Sequence, residues 1–354
     1  MKIAFLLPSI LNKGSITIFK EIIQNIIAEY KEIEIDLYYF KSYDKEYFNF
    51  DDAKKLNFLN RIEFDKYDII HSSGFIPNLY IALFRWRSKS IFITTIHSYL
   101  EEDIKNSFKG IKAIIIYRLW LKILNFQNGV VVLTNHAKSY YDSRINVRID
   151  AINNGISIED KSIIKSDDLH EINKIKLLKE KYKLIGTNAV LSRIKGLDQV
   201  IQSLVKLKDY CFIVVGDGPE LSNLKEYAEE LNVLNRCLFL GYKENVRAYT
   251  EYYDLYVMPS RSEGFGLALI EAISMKIPCL CSNLPVFNEL FSSKEVLFFE
   301  LENIEDFIEK VILSQTIQNS LIESAYIRFT NNYTSSVMTK NYVNLYRNYI
   351  YENQ

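Results

Sequence analysis

Cysteine is scarce in this sequence. The 354 residues include four, Cys211, Cys237, Cys279 and Cys281, all in the second half, in apolar surroundings and without a CxxC spacing. That pattern excludes a disulfide framework and a paired-thiol motif, and it predicts buried thiols on strands in a reducing cytoplasm. Net charge is nearly absent too: 43 Lys and Arg stand against 44 Asp and Glu, leaving −1. This balance argues against nucleic acid as a partner. No apolar run reaches the roughly 18 uncharged residues of a membrane span. The nearest, IKAIIIYRLWLKILNF, is broken by Arg118 and Lys122. The opening MKIAFLLPSI has a short apolar core and no small-residue cleavage site, so it reads as a first strand and not as a leader. There is no tandem repeat and no low-complexity tract. No HExxH or spaced His/Cys/Asp cluster points to a metal.

What is present is a sizeable core. Hydrophobic residues make up 48% and charged residues 25%, with 25 Tyr and 21 Phe. The length suits two domains. In the first part, KIAFLLP, IEIDLYYF, DIIHSS, SIFITTIHS, GVVVLT and VRIDAIN read as strands, separated by helical patterns such as ITIFKEIIQNIIAEYK. Continuous apolar strands alternating with helices predict a parallel sheet covered on both faces. That domain ends near Asn154-Gly155, and the polar ISIEDKSIIKSDDLHEINK follows as a linker. The pattern then restarts with NAVLSR, YCFIVVGDG, RCLFLGY, DLYVMPS, PCLCSN and VLFFEL. Near the end, Met338, Tyr342, Leu345, Tyr346, Tyr349 and Ile350 share one face of a helix. The expected fold class is therefore α/β, with two doubly wound domains facing across a cleft. Ligands on such sheets sit beyond the carboxyl ends of the strands.

The unusual residues fall in those loops. In SRSEGFGLALIEA, Glu263 lies on a loop after a strand, and Glu271 lies inside a helix that starts near Phe265 or Gly266. A carboxylate among Leu269, Ile270, Ala272 and Ile273 is costly to bury unless something pairs with it. Gly264 and Gly266 allow close backbone approach, and the free amides of a helix start favour phosphate. Phosphate would meet the amides of Gly266 and Leu267, ribose hydroxyls would meet Glu271, and Glu263 would face whatever the phosphate carries. The plain alternative is an acid favoured by the helix dipole and a partly exposed Glu271. Arg193 and Lys195, beside Gly196 in a strand-to-helix loop, suit a diphosphate, although alone they read first as surface charges. Gly216-x-Gly218 would need a third glycine at 221 for a dinucleotide fingerprint. Leu221 stands there, so a tight turn with Pro219 at the first helical position is expected. Gly14 is the single glycine of the first strand-to-helix loop. His97 and His71 both sit at strand ends, where functional side chains gather. His136 and His170 lack such placement.

Together, Glu263-x7-Glu271 in EGFGLALIE, VVGDGPE, FLGY, YYDLYVMPSRSEGFG, INNGI and RIKG resemble a retaining GT-B glycosyltransferase of family 4, the group 1 type. The resemblance covers nearly the whole chain, most strongly residues 186–290. It implies two Rossmann-like domains: an acceptor-side domain over residues 1–165 and a nucleotide-sugar-binding domain over 166–330. A C-terminal helix over 331–354 would cross back to the first. It implies that Glu271 takes the ribose and Glu263 the donor sugar. The Gly266 and Leu267 amides, with Gly264 and Phe265 beside them and with Arg193 and Lys195, would take the diphosphate. His97 would face the reaction centre, Tyr242 would line the base pocket, and Gly14 would approach the donor. His71 would have a more peripheral, acceptor-side place. Three features depart from the family pattern. Arg193 and Lys195 are closer together than usual, Gly14 follows Asn12-Lys13 where a Gly-Gly pair is common, and Ser98 stands where an acid often follows the histidine.

The implied reaction moves a sugar from a nucleotide-diphosphate donor, UDP-sugars ahead of GDP-sugars, to a hydroxyl of a glycan or lipid-linked acceptor. It implies bacterial surface polysaccharide assembly as the setting. No cofactor is implied, and cations would replace a metal, since FDD at 50–52 and EED at 101–103 do not match a DxD loop. Rival readings are a GT-B sugar-nucleotide epimerase and a non-catalytic partner subunit; loss of Glu263 or Arg193 would have favoured the latter, and both are present. A nicotinamide oxidoreductase is disfavoured by the glycine spacing. Finally, residues 104–141 contain no Asp or Glu but carry Lys105, Lys109, Lys112, Arg118, Lys122 and Lys138 with Phe108 and Trp120. The cations do not form one clean stripe, so the segment reads either as part core or as a surface for anionic lipid. The second reading places the protein in the cytoplasm, peripheral at the inner face of the membrane.

Overall fold

The computed structural model describes residues 1–11, 14–44, 48, 50, 52–158, 168–316 and 319–353. Asn12, Lys13, Asp51 and the central part of the expected linker, 159–167, lie outside the described residues. The chain separates into two compact units, Met1–Ser157 with Asn332–Gln354 and Ile158–Asn331.

In the first unit the strands are β1 (Lys2–Leu7), β2 (Glu34–Tyr39), β3 (Lys54–Lys55), β4 (Ile69–Ser73), β5 (Ile91–Thr95), β6 (Gly129–Val132) and β7 (Arg148–Ala151). They form a parallel sheet in the order β3-β2-β1-β4-β5-β6-β7. Residues Ile3 to Leu7 have no exposed surface, as a strand covered on both faces requires. The edge strand β3 was missed from sequence because it is two exposed lysines. Such charges blunt a sheet edge against further pairing. The helix Gly14–Glu29 buries Ile16, Phe19, Ile22, Ile23 and Ile26 at three- and four-residue steps.

The helix Ser335–Glu352 packs on Gly14–Glu29 and buries Met338, Tyr342, Leu345, Tyr346 and Tyr349 of its expected face, with Ile350 half-buried. Its entry is fixed by backbone. Ile156 N–H donates to Tyr333 O (3.0 Å), and Ser335 N–H donates to Ile156 O (2.9 Å). Gly155 makes this approach possible: a Cβ there would stand 2.2 Å from the Thr334 carbonyl oxygen. The glycine of INNGI is thus a packing requirement of the returning chain.

In the second unit the strands are β8 (Lys183–Asn188), β9 (Tyr210–Val215), β10 (Cys237–Phe239), β11 (Leu255–Met258), β12 (Cys279–Ser282) and β13 (Leu297–Phe299), in the parallel order β10-β9-β8-β11-β12-β13. Three expectations change. NAVLSR begins on the last residue of β8, Asn188, and runs into the following loop, and the strand itself is KLIGTN. Gly186 hid it; the ring of Tyr253 lies where a side chain at 186 would be, 2.2 Å from an ideal Cβ. The expected linker gives way early to the helix Leu169–Lys179, whose two buried residues, Ile172 and Ile175, are a weak signal among charges. Pro219 precedes its helix, which begins at Leu221, because the Glu220 amide bonds the Leu191 carbonyl (3.0 Å) and holds a turn. Cys211, Cys279 and Cys281 are buried and Cys237 half-buried, all as free thiols. Burial pushes the Cys211 thiol up to about 11.

Both sheets reverse strand order at their first strand, β1 against β4 and β8 against β11. Loops after those strands diverge to opposite faces and leave a crevice, the usual ligand position on such sheets.

Gly155→Ala is expected to lower unfolding free energy by about 1–3 kcal/mol, since backbone cannot yield to the added carbon. Gly14→Ala, where no atom of the described residues lies within 4 Å of the new Cβ, should be neutral or stabilise by up to about 1 kcal/mol. Urea unfolding of both variants checks the pair; equal effects would mean that the Gly155 contact is easily relieved.

Candidate active site

The loops after β8 and β11 carry the charged residues singled out from sequence, and the structure brings two of them into contact. Lys195 Nζ lies 2.6 Å from Glu263 Oε1, with the two side chains 27% and 10% exposed. Ser260 Oγ donates to the same oxygen (2.8 Å), and the Ser260 carbonyl accepts from Ser282 Oγ (2.6 Å). Arg193 sits one residue from Ile194 in the same short turn and is exposed.

These loops are locked by residues that sequence reasoning passed over. Gly196 has φ +64°, and a Cβ there would lie 2.1 Å from the Pro259 carbonyl oxygen. The buried Gln199 donates from Nε2 to Pro259 O (3.0 Å) and Gly196 O (3.3 Å) and accepts from Glu302 N–H (2.8 Å). Arg261 does more. Its amide donates to Ile194 O (2.7 Å), and its Nη1 donates to Arg193 O (2.7 Å). Its fork pairs with Asp198 at 2.9 and 2.7 Å and its Nε with Glu302. The guanidinium is committed to holding the turn. Nothing in SRSEG distinguishes it from a surface arginine.

The helix carrying Glu271 is Leu267–Ser274, beginning one to two residues later than expected. Gly266 precedes it at φ +86°, a left-handed position that also faces the Phe287 ring, 2.6 Å from an ideal Cβ. The first-turn amides, Leu267 among them, have no acceptor within the helix. Glu271 is half-buried; after burial itself, its charge is the next influence pushing the buried Tyr256 phenol up. Gly264 is half-buried, whereas the Phe265 side chain is 3% exposed, so Phe265 can offer a ligand little but backbone. Tyr242, 66% exposed, follows β10.

In the first unit the two strand-end histidines have opposite surroundings. His97, just past β5, has no hydrogen-bond partner at either ring nitrogen among the described residues, although both atoms are shielded. Burial pushes it down to about 4, so it is neutral near pH 7. His71, inside β4, has no exposed surface. Its Nδ1 bonds the Tyr346 hydroxyl (2.6 Å) and its Nε2 the Thr95 hydroxyl (2.8 Å), which also bonds Tyr342 (3.1 Å). The acceptor-side place expected for His71 is therefore corrected: it has neither access nor an open nitrogen, and it ties β4 to the C-terminal helix. Phe19 touches both imidazoles, with centroids at 5.0 and 5.6 Å. Gly14 opens its helix with no neighbour among the described residues that demands a glycine. No group of three His, Cys, Asp or Glu side chains could hold a metal ion among the described residues.

A family model described as glycosyl transferases group 1 matches residues 169–328, and one described as glycosyltransferase family 4 matches residues 25–160. The chain is 29% identical over 354 residues to the O-antigen biosynthesis glycosyltransferase WclY of Escherichia coli, covering 98% of each. It is 26% identical over 294 residues to the E. coli UDP-Gal:alpha-D-GlcNAc-diphosphoundecaprenol alpha-1,3-galactosyltransferase, covering 78% of this chain and 70% of that one. Among solved structures it is similar to Anabaena Alr3699/HepE in complex with UDP and glucose, with TM-score 0.79, 16% identity and coverage of 98% and 99%.

The histidine environments set a pH dependence. Both folded values, about 3 for His71 and about 4 for His97, lie below the ordinary 6.5. Their contribution to stability is thus complete above the unfolded value and is lost as pH falls from there toward the folded values. Each adds a slope of up to about 1.4 kcal/mol per pH unit in that window. Urea unfolding from pH 7.5 down to 5 should show that decline, and His97→Gln should flatten it. An unchanged slope in the variant would mean that His97 protonates freely in the folded chain.

Proposed function

The chain belongs to the group 1 glycosyltransferases of GT-B fold, and we propose that it moves a sugar from a nucleotide-diphosphate donor to a hydroxyl of a glycan or lipid-linked acceptor. The reaction retains the anomeric configuration and serves assembly of a bacterial surface polysaccharide. The likeness to an O-antigen glycosyltransferase supports that setting. UDP-sugars rank ahead of GDP-sugars, because one relative is named for UDP-Gal and one structural neighbour was solved with UDP. The observation that carries the reading is the Lys195–Glu263 pair at the β8/β11 switch point, with Glu271 eight residues along.

In this reading the first-turn amides and the Arg193 and Lys195 cations bind the diphosphate. Glu271 accepts from the ribose hydroxyls, and Tyr242 lines the base. Lys195 has a flexible stem and can turn from Glu263 to a phosphate, while Ser260 keeps Glu263 oriented toward the sugar. The bond from the anomeric carbon to the phosphate oxygen breaks as the acceptor oxygen bonds on the same face. The acceptor proton passes to the leaving phosphate. Rate comes from positioning and from charge stabilisation of the leaving group, with cations in place of a metal. His97, neutral and bonded at neither nitrogen among the described residues, can donate from one and accept at the other, which suits a sugar or acceptor hydroxyl. The protein works in the cytoplasm, at the inner face of the membrane; among the described residues no helix is long and apolar enough to cross it. No observation favours an epimerase or an inactive partner.

Calorimetry with UDP and GDP tests the donor site. Glu271→Ala should cost about 1.5–3 kcal/mol of nucleotide affinity, the range for a charged hydrogen bond. Unchanged affinity in the folded variant would remove Glu271 from the site. Incubation of the UDP-sugar with acceptor in excess EDTA, followed by proton NMR, should yield a retained glycoside. A free epimerised nucleotide-sugar formed without acceptor, or a strict metal requirement, would overturn the reaction as proposed.

A further inference from the structure

The helix Ile111–Leu124 has one side in the core and one side without cover. Ala113, Ile123 and Leu124 are buried, and Trp120 meets Phe75 edge-on at 5.5 Å. On the other side Ile111, Ile115, Leu119 and, just beyond the helix, Phe126 are 76%, 60%, 44% and 50% exposed, with Ile114 at 49%. Lys112, Arg118 and Lys122 are exposed among them. At 100° per residue, continued through Phe126, these eight positions span an arc of about 160° and a length of about 23 Å. The cations did not look like a stripe in sequence because they alternate with aliphatics inside one face.

Scattered exposed leucines need no explanation, but a continuous row does. The charge on the row says what covers it. The helix has no acid, nor does any position from 104 to 141. The nearby acids on Leu100–Ser107 are engaged: Glu101 with Lys105 and Tyr140, and Asp103 with Ser98. A second copy placed face to face would bring cation against cation. A nucleic acid would want stacking rings, and four of the five exposed apolar side chains are aliphatic. Trp86, 82% exposed, lies next to Arg85, whose guanidinium reaches Asn128 at 3.3 Å. Trp86 thus follows a residue tied to the chain two positions beyond Phe126, and Arg87, also exposed, follows it.

We propose that this face docks on an anionic lipid bilayer. Ile111, Ile115, Leu119 and Phe126 enter the boundary between headgroups and acyl chains, and Lys112, Arg118 and Lys122 bind lipid phosphates. Interfacial helices of this composition bind through both terms together. The inference stands on the surface alone and is independent of the sugar-transfer reading.

Co-sedimentation of the full chain with phosphatidylcholine vesicles, with and without one-third phosphatidylglycerol, tests it without any donor or acceptor. The protein should pellet with the anionic vesicles at about 0.05 M salt and be released at about 0.5 M. Little should pellet with neutral ones. The triple variant Lys112→Gln, Arg118→Gln, Lys122→Gln should bind about a hundredfold more weakly. The double variant Ile115→Asp, Leu119→Asp should not pellet. Leu177→Asp, at a 66% exposed position on a helix of the second unit, should bind like the parent. Each variant is compared at an unfolding midpoint equal to the parent's, and the charge variant carries the test if the apolar one unfolds. No pelleting at low salt, or pelleting that survives both variants, would overturn the proposal. So would light scattering that showed a dimer lost in the apolar variant, since a second copy would then cover the face.

Discussion

A lysine and a glutamate on separate loops remain 2.6 Å apart only if the loops cannot separate. In the second unit that separation is set by backbone on backbone. Gly196 lies against the Pro259 carbonyl with no room for a side chain, so the turn after β8 rests directly on the end of β11. Gln199, buried, spends both ends of its amide on the same junction and on Glu302. Arg261 closes the outer side by gripping the Arg193 carbonyl and Asp198. Each such bond is worth about 1 kcal/mol net, somewhat more where a charge takes part. Their sum matters less to stability than to position: they hold the cation and the carboxylate on rigid supports before any ligand arrives.

The first unit shows the same principle with a different outcome for one residue type. His71 and His97 lie on or just past adjacent strands, and Phe19 touches both. Inside β4, covered on both faces, an imidazole with an unmet nitrogen would be costly, and Tyr346 and Thr95 meet both of them. Two residues beyond the end of β5, both His97 nitrogens are shielded and neither is bonded among the described residues, so that cost is left unrelieved. Strand position separates a histidine bonded at both nitrogens from one bonded at neither among the described residues. The C-terminal helix matters here because it supplies the Tyr346 partner and, through Thr95, Tyr342.

The sheets were legible because buried parallel strands leave unbroken apolar runs, and the loops because glycines and charges interrupt them at fixed places. What was not legible had physical reasons. β3 has no apolar residue at all. β8 was displaced in the reading because Gly186, needed under the Tyr253 ring, looks like a break. In the site, Lys195, Glu263 and Glu271 could be named, but Arg261 and Gln199 could not, since their role depends on which carbonyls two distant loops present to them. The exposed face of Ile111–Leu124 was ambiguous for a related reason. Hydrophobicity predicts burial, and only the packed structure shows that this helix has too little protein to cover both sides.

The electrostatics of the Lys195–Glu263 pair explain why a built-in ion pair suits a site for an anion. A pair with one member 27% exposed and the other 10% contributes little to folding, because desolvation offsets most of its attraction. Its effect is on what happens next. Without Lys195 beside it, the Glu263 charge would repel an approaching diphosphate; with Lys195, that end of the site is locally neutral. In the proposed reading, an arriving phosphate competes for an ammonium that is already positioned and only 27% exposed, so little ordering cost remains to be met on binding. In that reading, once the ammonium turns to the phosphate, Glu263 would lose one partner but keep Ser260, whose own carbonyl is held by Ser282. The carboxylate would then be left oriented and short of one hydrogen bond, the condition in which the proposed donor sugar's hydroxyl is best accepted.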